Sequence, residues 1–277
     1  MSEVLQASGS TLGRCMCIIT GASKGFGRAL ALLVSTAVRS LGRRRDEVVR
    51  FLQASRRLKP GSVLVLVARS GLLLQELKEE LLQGLQDVQD LSVCCTPADL
   101  STKGGVEDAV EVARQQGLEG IEHVLLVNNA ASLGDISPFE SFTELDEVNS
   151  YLALNVSSAL ALTAGVLRAF RPRAGLRWSV VNCSSALALR PLPSRVPYCT
   201  AKAAREMMFR VLAAENPNVK VLNYSPGPMD TEMQEQIQKL TGIQNHLYPC
   251  QESASKLLSV LLKDDFATGS HLDFFDL

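Results

Sequence analysis

The chain has 277 residues with a formal net charge of −1, and 46% of these residues are hydrophobic. This length and balance predict one large α/β domain, and the near-zero charge argues against nucleic acid or an anionic membrane as a partner. The longest aliphatic run, Val63 to Ala68, is far shorter than the ~20 residues of a membrane span. We therefore expect no membrane partner.

The thiols and imidazoles predict reduced cysteines and no metal site. The seven cysteines include no Cys-x-x-Cys spacing, and the three histidines include no His-Glu-x-x-His. The polar N-terminal residues lack a basic segment followed by an apolar one, so they do not resemble a secretory signal. We expect a cytoplasmic protein.

Short apolar runs alternate with longer amphipathic segments along the chain. The apolar runs predict strands at 15–20, 62–68, 91–96, 123–127, 178–183, 219–224 and 270–275. The amphipathic segments predict helices from 25 onward and at 72–85, 106–116, 145–170, 197–214 and 253–262. This alternation implies right-handed βαβ crossovers and a Rossmann-like, doubly wound parallel sheet of the α/β class. Without a linker or repeat, residues 1–277 are expected to form a single domain.

One predicted crossover, residues 36–60, is longer and more basic than a connection of this kind needs. Arginines and lysines are concentrated between Arg39 and Lys59. Two interpretations stay open for this segment. It is either an extended or broken helix with a solvated basic face, or a docking site for an acidic partner.

A glycine-rich turn follows the first predicted strand and opens the first predicted helix, with the sequence Thr20-Gly-Ala-Ser-Lys-Gly-Phe-Gly27. Glycines permit a tight turn and let a pyrophosphate approach the backbone, while the helix N-terminus offers unpaired N–H groups. The turn therefore predicts a dinucleotide site. The expected contacts are Gly21, Ala22, Ser23, Lys24, Gly25, Phe26 and Gly27.

The end of the second predicted strand indicates which nicotinamide cofactor is bound. An acid at this point holds a ribose 2′-hydroxyl, whereas an arginine suits a 2′-phosphate. The strand ends Val67-Ala68-Arg69-Ser70, without an acid, and Arg69 offers a planar fork of donors. The pattern predicts NADP(H), with Ser70 close by. Asp99 and Leu100, after the third strand, are expected at the adenine, although Asp99 could instead serve as a helix N-cap.

Tyr198 and Lys202 form a Tyr-x-x-x-Lys pair on a predicted helix. Residues four apart share one helix face, with Cβ atoms about 5–6 Å apart. An ammonium near a phenol favours the phenolate, so we expect Lys202 to lower the pKa of Tyr198 and make it a general acid or base for carbonyl–alcohol chemistry. An exposed amphipathic pair is the alternative.

Taken together, these motifs resemble the short-chain dehydrogenase/reductase family. The resemblance covers the glycine turn, Asn128-Asn129-Ala130, Asn155, Ser185, the Tyr198/Lys202 pair and Pro226-Gly-x-x-x-Thr231. It implies that Tyr198 donates a proton to a carbonyl oxygen, that Ser185 hydrogen-bonds that oxygen, that Lys202 holds the nicotinamide ribose, and that Asn155 supports a proton relay. It also implies cofactor contacts from Asn129, Met229, Asp230 and Thr231. Ala131 replaces the glycine that usually ends the Asn-Asn-Ala-Gly motif, so the loop there is expected to fit the cofactor differently.

Several segments are similar to the pterin-reducing members of the family, among them Asn223-Tyr-Ser-Pro-Gly-Pro228 and the tail His271-Leu-Asp-Phe274. This resemblance implies reduction of 6-substituted pterins, with Asp273 as the pterin anchor and with Ala186 and Gly227 also at the substrate. It also implies a homodimer that uses the 145–170 and 198–214 helices. Two alternatives stay open: a reductase of the same fold with another carbonyl substrate, and a non-catalytic NADP(H)-binding sensor.

Overall fold

The computed structural model of the protein describes residues 11–35, 57–83 and 91–277. Seven parallel strands form one sheet in the order β3-β2-β1-β4-β5-β6-β7. The strands are β1 (Cys15–Thr20), β2 (Val63–Ala68), β3 (Ser92–Pro97), β4 (His123–Asn128), β5 (Arg177–Cys183), β6 (Lys220–Ser225) and β7 (Ser270–Asp273). The predicted doubly wound α/β fold is confirmed.

Helices cover both faces of this sheet. They are α1 (Gly25–Ser35), α2 (Gly71–Gln83), α3 (Lys103–Gln115), α4 (Leu145–Leu152), α5 (Ser158–Ala169), α6 (Val196–Glu215), α7 (Glu232–Thr241) and α8 (Cys250–Lys263). Most of the long basic crossover, residues 36–56, lies outside the described residues, and its two interpretations stay open.

Strands β1, β2 and β4 are buried along their whole length, and the near-continuous apolar sequences of β1 and β2 reflect a sheet that is covered on both faces. On β1, Cys17 and Ile19 pack into a core with α1, α2 and α8, whereas Met16 and Ile18 pack into a second core with α3, α5 and α6. This alternation is the two-residue period of a strand.

The strand order places the site. It reverses between β1 and β4, which pair in parallel from Cys15↔His123 to Ile19↔Val127. At such a reversal the loops leave the carboxyl ends of the strands in opposite directions and open a crevice, which is where ligands bind in sheets of this kind.

The structure differs from the prediction at three elements. The helix predicted at 145–170 is two α-helices, α4 and α5, joined by a π-helical segment at Ala153–Ser157. Helix α7 was not predicted, although Thr231-x-x-Gln234 before it and Gly242 after it, at a φ of 71°, are ordinary helix boundary signals. The strand predicted at 270–275 ends at Asp273, and a 3₁₀ turn, Phe274–Asp276, follows.

The run Leu145–Ala169 has the length and the mean hydropathy, 1.5, of a membrane span. A core or interface helix passes the same test. The buried residues of α5, which include Leu162 and Val166, pack against the sheet in the second core.

Candidate active site

A cleft of about 1560 Å³ opens at the carboxyl ends of the strands. Most of the predicted site residues line it. They are Gly21, Ser23, Lys24, Gly25, Phe26, Arg69, Ser70, Leu100, Asn129, Ser185, Ala186, Tyr198, Lys202, Gly227, Met229, Asp230, Thr231 and Asp273. Ala131, at the position of the family glycine, lines it as well. Ala22, Gly27, Asp99 and Asn155 do not line the cleft, and the contacts of these four residues show what they do instead.

The glycine turn has no room for side chains at two of its positions. Gly21 has a φ of 65°, and a Cβ there would lie 2.7 Å from Asn129 Nδ2. A Cβ on Gly27 would lie 2.4 Å from the carbonyl oxygen of Gly21. Because Gly27 has no side chain, the start of α1 can pack directly against the carbonyl of Gly21.

Asn129 holds this turn onto the end of β4. Its side-chain Nδ2 donates to the carbonyls of Thr20, at 2.8 Å, and Gly21, at 3.2 Å. The Thr20 hydroxyl in turn accepts the backbone N–H groups of Asn129 and Ala130. Ala22 is fully buried and its N–H donates to the carbonyl of Val67, so this residue anchors the turn to β2.

Two of the predicted phosphate and adenine contacts are engaged with other residues. Lys24 forms an ion pair with Glu232, with an Nζ–Oε1 distance of 2.5 Å, which fastens the start of α7 over the glycine turn. Asp99 accepts the N–H and the hydroxyl of Ser101, at 2.9 and 2.7 Å. The N-cap of α3 is Thr102. Asp99 thus shapes the turn that leads into α3.

Arg69 stands exposed at the end of β2 and lines the cleft. Next to it, the Ser70 hydroxyl accepts the N–H of Leu73 at the start of α2. The cleft therefore has a cationic donor after β2, where recognition of a 2′-hydroxyl would require an acid.

Tyr198, Lys202 and Ser185 converge on the other half of the cleft. Helix α6 places Tyr198 and Lys202 on one face, and the Lys202 Nζ lies 5.6 Å from the centroid of the phenol ring. Ser185 caps a short 3₁₀ turn, and its oxygen accepts the N–H of Leu187 at 3.1 Å. Because that oxygen already accepts a bond, its own proton is free for donation, and the hydroxyl is within hydrogen-bonding reach of the Tyr198 phenol.

The pKa values differ from the expectation for this pair. Burial raises the pKa of Tyr198, although the Ser185 hydrogen bond and the positive charge of Arg205 oppose the rise. Burial and the charge of Arg205 lower the pKa of Lys202 to about 7. The amine is therefore neutral over the range in which the phenol would ionise, so the prediction that Lys202 lowers the pKa of Tyr198 is wrong here. The phenol therefore carries its proton at neutral pH, and the raised pKa makes it a weaker acid than a free tyrosine.

Lys202 is nevertheless fixed in place. It is 6% exposed, and its Nζ donates to the carbonyl of Cys183, at the end of β5, over 2.6 Å. An amine has more than one N–H donor. One is used by Cys183, and others are available at the cleft surface that Lys202 lines.

Arg205, which the sequence did not reveal, is buried behind the pair with 1% exposure. Its Nε donates to Asn182 Oδ1 at 2.8 Å, and its other nitrogens donate to the carbonyls of Asn128 and Ala130. One guanidinium thus ties α6, which carries Tyr198, to the ends of β4 and β5. Arg205 positions the site and supplies the cation that acts on the phenol.

A row of buried polar side chains extends this support across four strands. Asn128, Asn182, Asn223 and His271 pair in register on β4 to β7. His271 Nδ1 lies 3.0 Å from Glu206 Oε2, which also accepts the Ser184 hydroxyl at 2.7 Å. Polar residues inside a sheet are costly unless they are paired, so this row marks the site end of the strands.

Asn155 lies in the π-helical segment and is 2% exposed. Its Oδ1 accepts the N–H of Ser132 at 2.8 Å, and its Nδ2 donates to the Ser132 hydroxyl and the Tyr151 carbonyl. The amide is thus fully used in holding the Ser132 loop, which lines the cleft. The relay role expected for Asn155 stays a prediction, and the side chain acts here as a clamp.

Asp273 ends β7 at the rim of the cleft. Its Oδ1 accepts the N–H of Phe275 at 3.0 Å and so caps the 3₁₀ turn that follows. Two rings, Tyr248 and Phe274, pack together beside this tail with centroids 4.8 Å apart. The tail is therefore fixed, with one carboxylate oxygen of Asp273 used for capping and the other available to a ligand.

The burial of Lys202 predicts a pH-dependent cost in stability. Because its pKa falls from 10.5 to about 7, the cost is full below pH 7, on the order of 5 kcal/mol, and fades as pH rises towards 10.5. At pH 6, Lys202→Met should increase the free energy of unfolding of the nucleotide-free protein by roughly 2–4 kcal/mol, reduced by the loss of the hydrogen bond to the Cys183 carbonyl. At pH 10 the increase should be small.

Urea unfolding of the wild type and Lys202→Met at pH 6, 8 and 10 measures this difference. Lys103→Met, which removes a lysine with an 87% exposed side chain, is the control for the loss of one charge. A stability difference for Lys202→Met that is the same at all three pH values would contradict the prediction.

Comparison with known sequences agrees with the site. The profile of the short chain dehydrogenase family matches residues 52–241. The chain belongs to this family of short-chain dehydrogenases and reductases, as its motifs predicted. The match begins after the glycine turn, which the full-length relatives cover.

Those relatives are sepiapterin reductases. The enzyme of Mus musculus is 44% identical over 280 residues, which cover 96% of this chain and 98% of the relative. The enzyme of Xenopus tropicalis is 39% identical over 283 residues, which cover 98% and 100%. L-sorbose reductase from Gluconobacter frateurii, solved with NADPH and L-sorbose, has a TM-score of 0.73 at 22% identity and covers 97% of each chain. This last likeness shows the fold alone.

Proposed function

We propose that the protein is an NADPH-dependent reductase of the side-chain carbonyls of 6-substituted pterins, as in sepiapterin and 6-pyruvoyl-tetrahydropterin, on the route to tetrahydrobiopterin. The single observation that carries this proposal is that Ser185, Tyr198 and Lys202 line one cleft together with Asp273. Sepiapterin reductases that align over nearly the whole chain support the choice of substrate.

The residues of the cleft fit a nicotinamide dinucleotide. The glycine turn packs its backbone directly against the end of β4, where a Cβ on Gly21 would collide with Asn129, and it lines the cleft at the start of α1, where a helix offers unpaired N–H groups to a phosphate. Arg69 would hold a 2′-phosphate, which favours NADPH over NADH. Thr231, Met229 and the free N–H groups of Lys202 would hold the nicotinamide half. When bound, this cofactor supplies a hydride.

The chain's own groups supply the proton and stabilise the developing charge. The Tyr198 phenol carries its proton at neutral pH, and the Ser185 hydrogen bond and the charge of Arg205, which oppose the rise of its pKa, favour transfer of that proton to a carbonyl oxygen. The Ser185 hydroxyl donates to the same oxygen and is already oriented by Leu187. Arg205 holds α6, and with it Tyr198, against the ends of β4 and β5.

Asp273 should recognise the pterin ring. A carboxylate meets the paired N–H donors of a pterin's guanidine-like edge in charge-assisted hydrogen bonds. Asp273→Asn keeps an oxygen for the Phe275 N–H, so the tail stays folded. It should lower kcat/KM for sepiapterin by about 10–30-fold, which corresponds to the loss of one charged hydrogen bond.

NADPH consumption with sepiapterin and with a simple diketone measures this effect. The control is Asp265→Asn, an exposed aspartate that is not part of the cleft lining. Unchanged sepiapterin kinetics in Asp273→Asn, with diketone turnover retained, would favour a reductase for another carbonyl substrate. Tight NADPH binding without oxidation by any carbonyl would favour a non-catalytic sensor.

We also propose a homodimer that forms through α5 and α6. Large apolar side chains stand exposed on these two helices, with Leu160 54%, Met207 60% and Val211 46% exposed. Faces of this kind are usually covered by a partner. Met207→Asp should convert the dimer to a monomer in light scattering, whereas Leu240→Asp, on exposed α7, should not. A wild-type monomer at micromolar concentration would contradict the proposal.

We further infer a reducing compartment such as the cytosol. All seven cysteines lie within the described residues, and all are free thiols. Burial raises the pKa of Cys15, Cys17 and Cys183, which keeps these thiols protonated and unreactive.

A further inference from the structure

Arg195 is the feature of the cleft that pterin reduction does not use. It is the N-cap residue of α6, three positions before Tyr198, and it lines the cleft although it is only 5% exposed. Its backbone is well held. The Arg195 N–H donates to the carbonyl of Leu192, and its carbonyl accepts the N–H of Cys199.

The side chain, by contrast, has no partner. Its guanidinium makes no hydrogen bond and no ion pair with any residue in the described ranges 11–35, 57–83 and 91–277. Arg205, the other deeply buried arginine of α6, donates to three oxygens. Burial lowers the pKa of Arg195, and the nearby Cys199 and Tyr198 offset this only in part.

The guanidinium nitrogens of Arg195 stay accessible from the cleft that the residue lines, so their N–H groups are open to a ligand. The backbone beside the side chain is strained. Ser194 has a φ of 63°, which is uncommon for a residue other than glycine, and a bridge between Ser137 and Arg195 fixes the strand of chain that carries the arginine. The five N–H donors of the Arg195 guanidinium are thus held in the cleft lining without a hydrogen-bond acceptor among the described residues.

A second positive charge close by in sequence, Arg190, also lines the cleft. Of the acidic residues in the lining, Glu232 is paired with Lys24, and Asp273 caps the turn after β7. Two arginines from the segment before α6 therefore line the cleft, and Arg195 has no carboxylate partner among the residues that the structure describes.

We propose that this cleft accepts carbonyl compounds that carry a carboxylate beside the reducible carbonyl, and that Arg195 binds that carboxylate. The planar fork of a guanidinium matches the two oxygens of a carboxylate. Arg195 is the N-cap of α6, Tyr198 lies in the first turn of this helix, and both line the cleft, so a bound anion would lie near the carbonyl that Tyr198 protonates. The inference rests on the proposed reductase function but goes beyond neutral pterin side chains.

Benzoylformate and its methyl ester test the proposal, because they present the same carbonyl with and without the charge. At saturating NADPH the wild type should prefer benzoylformate in kcat/KM. Arg195→Met should reduce the acid-to-ester ratio at least ten-fold, mainly through KM for the acid, and Arg195→Lys should restore part of it. Arg171→Met, an exposed arginine outside the cleft lining, should keep the wild-type ratio.

A ratio that is the same in the wild type and in Arg195→Met would overturn the proposal. If Arg195→Met binds NADPH less well than the wild type, the acid-to-ester ratio of Arg195→Lys decides. An ammonium lacks the planar pair of donors of a guanidinium, so a wild-type ratio in Arg195→Lys would then overturn the proposal. If benzoylformate, its methyl ester and sepiapterin are all left unreduced, the proposed function fails.

The carboxylate site is tested separately by binding. The inference stands in that case only if benzoylformate raises the melting temperature of the NADPH-loaded wild type and does not raise that of the Arg195 variants.

Discussion

Tyr198→Phe is expected to lower kcat for NADPH-dependent carbonyl reduction by about a thousand-fold and to leave KM nearly unchanged, because a positioned general acid contributes about 10²–10⁴-fold. The substitution removes only the phenol oxygen. The ring stays beside the Lys202 amine, which lies 5.6 Å from its centroid. The fold and the cofactor site should therefore survive.

The pH profile adds a second measurement for this variant. Because burial raises the pKa of Tyr198 above its ordinary value of 10.0, wild-type kcat for reduction should not fall until the pH exceeds that value. The residual rate of Tyr198→Phe should not show this fall, since it has no phenol to titrate.

Tyr248→Phe is the matched control for Tyr198→Phe, because it makes the same chemical change at a tyrosine that is not part of the cleft lining. NADPH consumption with sepiapterin, together with NADPH binding measured by fluorescence, separates catalysis from binding. Equal rates for the wild type and Tyr198→Phe would show that the proton comes from another group.

The parts of the site that the sequence predicted depend on local spacing. The glycine turn is a run of eight residues between a strand and a helix, and Tyr198 and Lys202 lie on one helical face because they are four apart. Arg69 follows directly after β2. Burial on both sides of the sheet was visible in the apolar strands β1 and β2, whose residues are all buried.

The parts that the sequence did not predict depend on which residues become buried together. The composition of α6 does not show that Arg195 and Arg205 are buried while Arg210 is partly exposed, since the difference arises from the loops that pack on α6. The same burial reverses the expected direction of the Tyr198 pKa and makes Lys202 neutral near pH 7. Charge spacing alone therefore predicted that Tyr198 and Lys202 lie together in the cleft, and it missed the effect of burial on their pKa values.

Arg69→Gln is expected to raise KM for NADPH by about 30–100-fold and to change KM for NADH little, so that the preference for NADPH nearly disappears. The physical reason is the loss of two charge-assisted hydrogen bonds to a 2′-phosphate, each worth about 1.5–3 kcal/mol before solvent exposure weakens it. NADH carries a 2′-hydroxyl in place of this phosphate, so it forms no comparable charge-assisted hydrogen bonds with the Arg69 guanidinium.

Lys24→Met is the matched comparison for Arg69→Gln, because both residues are cations that line the cleft. Lys24 is already paired with Glu232, and so its loss should raise KM for NADPH by much less, on the order of two- to five-fold. Initial rates with both cofactors at saturating sepiapterin measure the two variants. An equal rise of KM for NADPH in Lys24→Met and Arg69→Gln would show that the overall positive charge of the cleft holds the phosphate. A rise of the same size in KM for NADH in Arg69→Gln would show that Arg69 supports the fold of the cofactor site instead of recognising the phosphate.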